Sequence, residues 1–200
     1  VKEPAYVLAP AQCEPFYEIF SGKHVRLEDL PIKMYDRSGW TYRWEGGGVE
    51  GLTRTQEFRR VEFVFLAEPS MTVEIRDQIL DKSVELADKM GLTWRVLEAT
   101  PFYLREGVER KGEIVATYDL EIFLPFKKNW LEVGSYNVHM QKFTKSFKIK
   151  ESKGREIWTG CCGFGTSRWA CAFLAQHGFD FGNWPALVKN KIGKVSEVLR

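Results

Sequence analysis

The sequence predicts an α+β fold in which helices flank an antiparallel β-sheet. Extended segments outnumber helical ones along the chain, and several follow one another through short turns, which favours antiparallel pairing. Two segments instead have apolar residues at helical spacing, one in the middle of the chain and one near its end. The 200 residues are expected to form one domain, because this length can bury a single sizeable core.

The first part of the chain is predicted to be mostly extended. A short apolar segment follows Cys13 and ends near Gly22. The glycine triplet at 46–48 is expected to form a loop between two strands, because glycine does not constrain the backbone. The strands predicted in this part span residues 5–8, 33–35, 40–44 and 58–66.

The clearest predicted helix lies in the middle of the chain. Ser70 is expected to be its N-cap and Gly91 to end it. Between them, apolar residues recur at helical spacing, namely Ile75, Ile79, Leu80, Val84 and Ala87. Beyond this helix, strands are predicted at 94–97, 118–124, 130–138, 143–149 and 157–160. A helix is predicted at 166–177, ended by Gly178, and a short one at 184–190.

The composition is that of a soluble globular protein, with 44% hydrophobic and 28% charged residues. No apolar stretch is long enough to span a bilayer, and the first residues do not resemble a signal peptide. A cytosolic protein without a membrane partner is therefore expected. The net charge of +2 is too small to indicate nucleic-acid binding by itself.

The four cysteines are Cys13, Cys161, Cys162 and Cys171. In a cytosolic chain they are expected to be thiols or metal ligands, not disulfides. They include no CxxC pair, which argues against a zinc finger. Any metal site must therefore be assembled from residues that are distant in sequence.

A strand, a loop and a returning strand contain the first group of candidate functional residues. Arg43 and Glu45 are two positions apart on a predicted strand, so both side chains point to the same face. A guanidinium there can hold a phosphate through paired hydrogen bonds, and the carboxylate can accept from an adenine amino group. Phe58 on the returning strand can stack on the base. The alternative is a cross-strand ion pair beside a core phenylalanine, since Arg-x-Glu is a common tripeptide.

A glycine-rich strand end contains the second group. Gly163 and Gly165 alternate along it and leave its surface free of side chains, so that a ligand can approach the backbone. Arg168 falls in the first turn of the next helix, whose N-terminus also favours anions. The alternative is a tight turn with a surface arginine.

In this order the two groups resemble motifs 2 and 3 of the class II aminoacyl-tRNA synthetases. The chain is most similar to the zinc-dependent seryl-tRNA synthetases of methanogenic archaea, and the similarity covers nearly its whole length. The stretches that carry it are 11–13, 36–39, 54–62, 158–161, 173–178 and 183–185. The resemblance implies the class II type of antiparallel sheet with flanking helices.

The resemblance also implies a zinc ion held by Cys13, Glu62 and Cys161. Three protein ligands leave one tetrahedral position open, as in zinc sites that bind a substrate, and two thiolates with a carboxylate suit this metal. In the family, the amino group of the amino acid takes the open position. Cys162 is the rival of Cys161, which is preferred because it lies two residues before Gly163, on the face of the motif glycines.

A further strand resembles the family segment between motifs 2 and 3. The resemblance implies that Glu132 binds ATP through magnesium, and that Ser135 and Asn137 share its face and line the serine pocket. The methanogenic enzymes have Asn and then Ser at these two positions, and this sequence has them in reverse order. The polar character of the pocket is kept, but its shape is expected to differ. The alternative is that both are ordinary polar residues of a strand.

The activity implied is the activation of serine with ATP to seryl-adenylate, followed by transfer to tRNA(Ser). The resemblance implies that Arg43 binds the α-phosphate and Arg168 the γ-phosphate of ATP. It also implies that Glu45 and Phe58 bind adenine and that Glu132 binds magnesium. Motif 1, which forms the homodimer in this family, and a tRNA-binding domain are expected upstream of this catalytic domain of residues 1–200. The chain is thus expected to be a fragment of a longer enzyme or a minimal homologue.

Two other functions stay open from the sequence. The first is that of the amino acid:carrier-protein ligases, which share the zinc site, lack the tRNA-binding domain and load a phosphopantetheine thiol. The second is a non-catalytic, synthetase-like protein that binds a partner or senses an amino acid.

Overall fold

The computed structural model describes residues 5–6, 8–37, 39–42, 48–104 and 106–198, with side chains in the last helix described as far as residue 192. The helices are α1 (Cys13–Glu18), α2 (Pro69–Lys89), α3 (Lys142–Ser146), α4 (Thr166–His177) and α5 (Ala186–Val198). The strands are β1 (His24–Val25), β2 (Ile32–Asp36), β3 (Trp40–Tyr42), β4 (Glu57–Ala67), β5 (Trp94–Glu98), β6 (Arg110–Lys111), β7 (Ile114–Val115), β8 (Thr117–Leu124), β9 (Asn129–Met140), β10 (Lys150–Glu151) and β11 (Trp158–Gly165).

A sheet of seven strands forms the centre of the part that is described. Its order is β2-β4-β11-β9-β8-β5, with β3 also pairing with β4, and every pair in it is antiparallel. Together with the helices that pack on it, this sheet confirms the predicted fold class. Elsewhere β1 pairs with β10 in parallel, and β6 with β7 in antiparallel orientation.

The two faces of the sheet have different neighbours. One face packs against α2 and α4 and forms the larger hydrophobic cluster, which includes the buried residues Phe65, Leu120 and Tyr136. On the other face, α1 and α3 contribute Tyr17 and Phe143 to a second cluster. The rest of this second face is open to a cavity, and the candidate site lies there.

The glycine-rich strand is longer than predicted. The expected strand at 157–160 continues as β11 to Gly165, because β4 pairs with one of its edges and β9 with the other. Ladder hydrogen bonds on both sides offset the weak intrinsic preference of glycine for extended structure.

The strand predicted at 143–149 is wrong. After β9, Met140 adopts a positive φ of 51°, and the chain then forms the short helix α3. Phe143 and Phe147 are four residues apart and stack with their ring centroids 6.2 Å apart, so their spacing fits a helix as well as a strand. Packing of Phe143 against Tyr17 on α1, at 5.2 Å, favours the helical form.

Three local predictions also need correction. Ser70 lies inside α2, which begins at Pro69 with Glu68 as its N-cap; proline is well suited to the first position of a helix. The described residues of segment 5–8 form no strand, and Tyr6 and Leu8 are exposed without a pairing strand.

The third correction concerns the last helix. It begins at Ala186 and not at residue 184, because Pro185 restricts the backbone of Trp184 to an extended conformation. It also continues past the predicted end at 190, to Val198. Along the described part of the chain, no helix is both long and apolar enough to cross a membrane.

Candidate functional site

The site is built on neighbouring residues of the four central strands. Glu62 on β4 is opposite Gly163 on β11, which is opposite Ser135 on β9, which is opposite Asp119 on β8. Partners in an antiparallel sheet share a face, so the three side chains of this row point to the same side. They line a cavity of about 440 Å³.

The adjacent row contains the first metal-ligand candidate of the sheet. Cys161 is opposite Asn137, which is opposite Thr117. Cys161 faces the cavity, whereas its neighbour Cys162 points to the opposite face and is buried in the cluster beneath α2 and α4. The alternation of the strand thus separates the two cysteines, and Cys161 is the one on the site face.

Cys13 reaches the same place from α1, of which it is the first residue. The sulfur atoms of Cys13 and Cys161 and a ring nitrogen of His139 lie within 4.8 Å of one another, and all three residues are buried. His139 Nε2 lies 3.5 Å from Cys161 Sγ. Burial lowers the pKa of His139 to about 3, so the ring is neutral. A neutral imidazole can donate a hydrogen bond to a cysteine sulfur, or bind a metal ion together with the two sulfurs.

Glu62 is the third predicted ligand. Its carboxylate is buried beside Cys161, and Oε2 forms an ion pair with Arg60 Nη2 at 2.9 Å. Burial raises the pKa of Glu62, although Arg60 and Cys161 act against this rise. Among the described residues, the closest cluster of donors therefore contains His139 in place of Glu62, with Glu62 next to it.

The donor set fits zinc. A hydrogen bond with Cys13, burial and the neighbouring acidic groups raise the pKa of Cys161 well above its usual value. Two thiols and a carboxyl group that are buried together destabilise one another's charged forms, and a divalent cation removes this repulsion. Sulfur, nitrogen and carboxylate donors are those that zinc prefers.

The second chemical group of the site lies where β4, β9 and α4 meet. Arg168, the third residue of α4, donates from Nη1 to the backbone oxygen of Glu132 at 3.2 Å and to Glu132 Oε2 at 3.3 Å. The Arg168 guanidinium carbon lies 5.4 Å from the centre of the Phe58 ring, and that of Arg60 lies 6.0 Å from it. An aromatic ring next to cationic groups provides a surface on which a base can stack beside phosphates.

Glu132 connects the two parts of the site. It lines the cavity of the thiols, and it also lines a second cavity of about 260 Å³ together with Arg168, Arg54 and Lys127. This second cavity is polar, and among the described residues its walls contain three cationic residues and three carboxylates, of which Lys127 pairs with Glu50 and Arg168 with Glu132. Such a mixed lining suits a ligand that carries both phosphates and a divalent cation.

A bulge brings Glu132 to the site face. Glu132 and Ser135 are three residues apart, and in a regular strand they would point to opposite faces. The pairing of β8 with β9 shifts register between Leu120 and Glu121, which inserts the extra residue that such an irregularity contains. Glu132, Ser135 and Asn137 consequently line one cavity.

Not all predicted site residues can be located. Arg43 and Glu45 lie outside the described residues, as do Ser38 and the first two glycines of the triplet. The strand that precedes them, β3, pairs with β4 so that Thr41 is opposite Phe58. Phe58 is buried at the start of β4.

Three residues of the site were missed from the sequence. Arg60 and His139 share faces with Glu62 and Asn137, two positions away in each case, so the alternation of the strands could have identified them. Asp119 lies on another strand. Burial, with Glu132 as the next cause, raises its pKa to about 7, which no local pattern of the sequence reveals.

A family model described as the class II tRNA synthetase core domain (G, H, P, S and T) matches residues 2–177. Among curated proteins, the chain is 45% identical to the Type-2 serine--tRNA ligase of Methanopyrus kandleri over 203 residues, covering 96% of this chain and 38% of that protein. It is 49% identical to that of Methanothermobacter thermautotrophicus over 198 residues, with the same coverage of 96% and 38%. The chain therefore spans about two fifths of the length of these relatives.

Solved structures show the same similarity. M. kandleri SerRS, in complex with A. aeolicus tRNASec, superposes with a TM-score of 0.87 and 44% identity, covering 96% of this chain and 39% of that one. The cytoplasmic serine--tRNA ligase of Naegleria fowleri, in complex with AMP, has a TM-score of 0.74 with 18% identity. The match covers 93% of this chain and 40% of that one. At that lower identity the match shows a common fold.

Proposed function

The chain belongs to the class II tRNA synthetase core family, and on that premise we propose that it activates serine with ATP as the catalytic domain of a serine--tRNA ligase. The observation that carries the proposal is that Glu132 joins a cavity with a buried thiol and carboxyl cluster to a second, polar cavity that contains Arg168. Such a pair of adjoining cavities suits an amino acid on one side and ATP on the other.

The nucleotide end consists of Phe58, Glu132 and Arg168, with Arg43 and Glu45 as further proposed members. Phe58 stacks on adenine and Glu45 accepts from its amino group. Arg43 holds the α-phosphate and Arg168 the γ-phosphate, while Glu132 binds the magnesium ion that accompanies ATP. The proximity of Phe58, Glu132 and Arg168 supports these roles.

The amino-acid end consists of the cavity lined by Cys13, Glu62 and Cys161, with Ser135 and Asn137 on its floor. Cys13, Glu62 and Cys161 would hold zinc, and the metal would supply a Lewis-acidic position for the amino group of serine. The buried position of all three side chains supports this assignment. His139, which lies nearest to both thiols, is the competing ligand for Glu62.

The reaction needs no general base, because the carboxylate of serine is already a nucleophile. One of its oxygens attacks the α-phosphorus, the bond from that phosphorus to the bridging oxygen breaks, and pyrophosphate leaves. The protein orients the two reactants and stabilises negative charge on the phosphates with its arginines. The seryl group then passes to the 3′ end of tRNA(Ser), and the full-length protein is proposed to act as a homodimer.

ATP–pyrophosphate exchange with each amino acid tests this proposal. Serine should support the fastest exchange in the full-length protein, and exchange should depend on magnesium. No exchange with any amino acid would refute catalysis and favour a non-catalytic, synthetase-like role. An acceptor assay with tRNA and with a phosphopantetheine carrier protein then distinguishes a tRNA ligase from a carrier-protein ligase.

A further inference from the structure

Asp119 is a carboxylate of the amino-acid cavity to which the proposed function assigns no role. It lies on β8, opposite Ser135, and borders the same cavity as Cys161. Within the part of the chain that the structure describes, its Oδ1 atom has no hydrogen-bond partner. An acceptor left without a partner in such a place costs free energy, so an acceptor of this kind points to a ligand.

The other polar groups on the floor of this cavity already bind one another. Thr117 Oγ1 donates to Asn137 Oδ1 at 2.9 Å, and Asn137 Nδ2 donates to Ser135 Oγ at 3.2 Å and to Cys161 Sγ at 3.8 Å. Ser135 is opposite Asp119 in the pairing of β9 with β8. The hydrogen bonds therefore run from Thr117 to Ser135 and end beside Asp119, whose Oδ1 can still accept.

The distance from the thiols to Asp119 suits a small amino acid. Asp119 is two strands away from β11, and neighbouring strands lie about 4.8 Å apart, so the backbones are separated by about 10 Å. Ser135, which lies next to Asp119 in that row, is small and lines the cavity together with Asp119. Gly163 is covered, because a Cβ there would lie 1.9 Å from Arg60 Nη2, so the Arg60–Glu62 pair bounds the space on that side.

We propose that Asp119 accepts a hydrogen bond from the side-chain hydroxyl of the amino-acid substrate and thereby selects serine over alanine. The inference rests on the proposed function, in which the amino group lies at the thiol end of the cavity. Held there, serine directs its hydroxyl along the row towards Asp119. Alanine leaves this acceptor without a partner, and a site built to bind a substrate hydroxyl rejects the analogue that lacks it.

The test compares serine with alanine in ATP–pyrophosphate exchange for the full-length protein and its Asp119→Ala variant. We expect kcat/KM for serine to fall about 100-fold, as is typical when a buried polar contact with a substrate is lost, while kcat/KM for alanine stays the same. The KM for ATP and the zinc content should not change. Asp119→Asn keeps an acceptor oxygen in the same place and should lose only about 10-fold with serine.

Glu121→Gln is the matched control. Glu121 is two residues along the same face of β8, where it pairs with Arg95 at 2.6 Å. It lies outside the amino-acid cavity, on the wall of the second cavity, so a change there affects serine and alanine alike. This variant should keep the serine-to-alanine ratio of the unaltered protein. If Asp119→Ala does not fold, the ratio measured with Asp119→Asn decides.

Each outcome has a different meaning. An unchanged serine-to-alanine ratio in the Asp119 variants overturns this inference but leaves the proposed function intact. An equal loss with both amino acids also overturns it, because Asp119 would then have only a structural role. If the unaltered protein exchanges with no amino acid, the proposed function fails, and this inference fails with it.

Discussion

Replacing Cys161 by serine is expected to abolish zinc binding and the stabilisation that zinc provides. The Cys161 sulfur belongs to a buried cluster whose donor atoms lie within 4.8 Å of one another. Because this cluster is assembled by folding, an ion bound there stabilises the folded state. Cys162 is the matched control. It is the next residue along β11 and equally buried, but it points into the core on the opposite face.

The expected size of the effect follows from binding linkage. Zinc buffered at 100 times its Kd stabilises the folded state by about 2.7 kcal/mol. The unfolding entropy of about 2.1 cal/mol/K per residue amounts to about 0.4 kcal/mol/K for the 200 residues. Zinc should therefore raise the Tm by about 6 °C. Cys162→Ala leaves a small cavity that costs about 1 kcal/mol, or about 2 °C, with and without zinc.

Scanning calorimetry with buffered zinc and with EDTA measures these shifts, and metal analysis of the same samples gives the zinc content. The unaltered protein and Cys162→Ala should contain about one zinc per chain and show the shift of about 6 °C. Cys161→Ser should contain no zinc, and its Tm should be the same with zinc as with EDTA. If Cys161→Ser keeps its zinc and its shift while Cys162→Ala loses both, the face assigned to the metal site is refuted.

Three further predictions address the ligand set, the nucleotide end and the fold. Glu62→Gln should lower zinc affinity at least 10-fold, whereas His139→Gln should do so only if the histidine is the ligand; chelator competition on both variants shows which is correct. Arg168→Ala should reduce kcat/KM for ATP by about 100-fold or more in pyrophosphate exchange, and an unchanged value would exclude it from phosphate binding. Phe143→Ala should destabilise the fold by about 3–5 kcal/mol, because this ring is buried between α1 and the sheet. The exposed Phe126 gives the control, since Phe126→Ala should leave the denaturant midpoint almost unchanged, and equal losses would contradict the packing seen for α3.

Much of the fold could be predicted because periodicity is a local property of the chain. The apolar spacing between Ile75 and Ala87 is enough to indicate α2, and Gly91 and Gly178 mark where α2 and α4 end. Residues 143–149 could not be assigned in this way. Their apolar positions fit a strand and a helix alike, and the helix is chosen by contact between Phe143 and Tyr17, which are far apart in sequence.

The candidate site was predictable only where its residues form contiguous motifs. The positions of Phe58, Gly163 and Arg168 could be read from their spacing, and the alternation of β11 was enough to prefer Cys161 over Cys162. Asp119 could not be found, because it becomes part of the site only through the pairing of its strand, β8, with β9, where it lies opposite Ser135.

By itself, the sequence determined the class of fold, the main elements and the residue types available for binding a nucleotide and a metal, because these depend on composition and on spacing along the chain. Only the tertiary structure decided which groups meet. The bulge in β9 brings Glu132 and Ser135 to one face, and α1 carries Cys13 to Cys161. The physical reason is that contacts across strands depend on register and packing, and register is set by all the pairs of a sheet together.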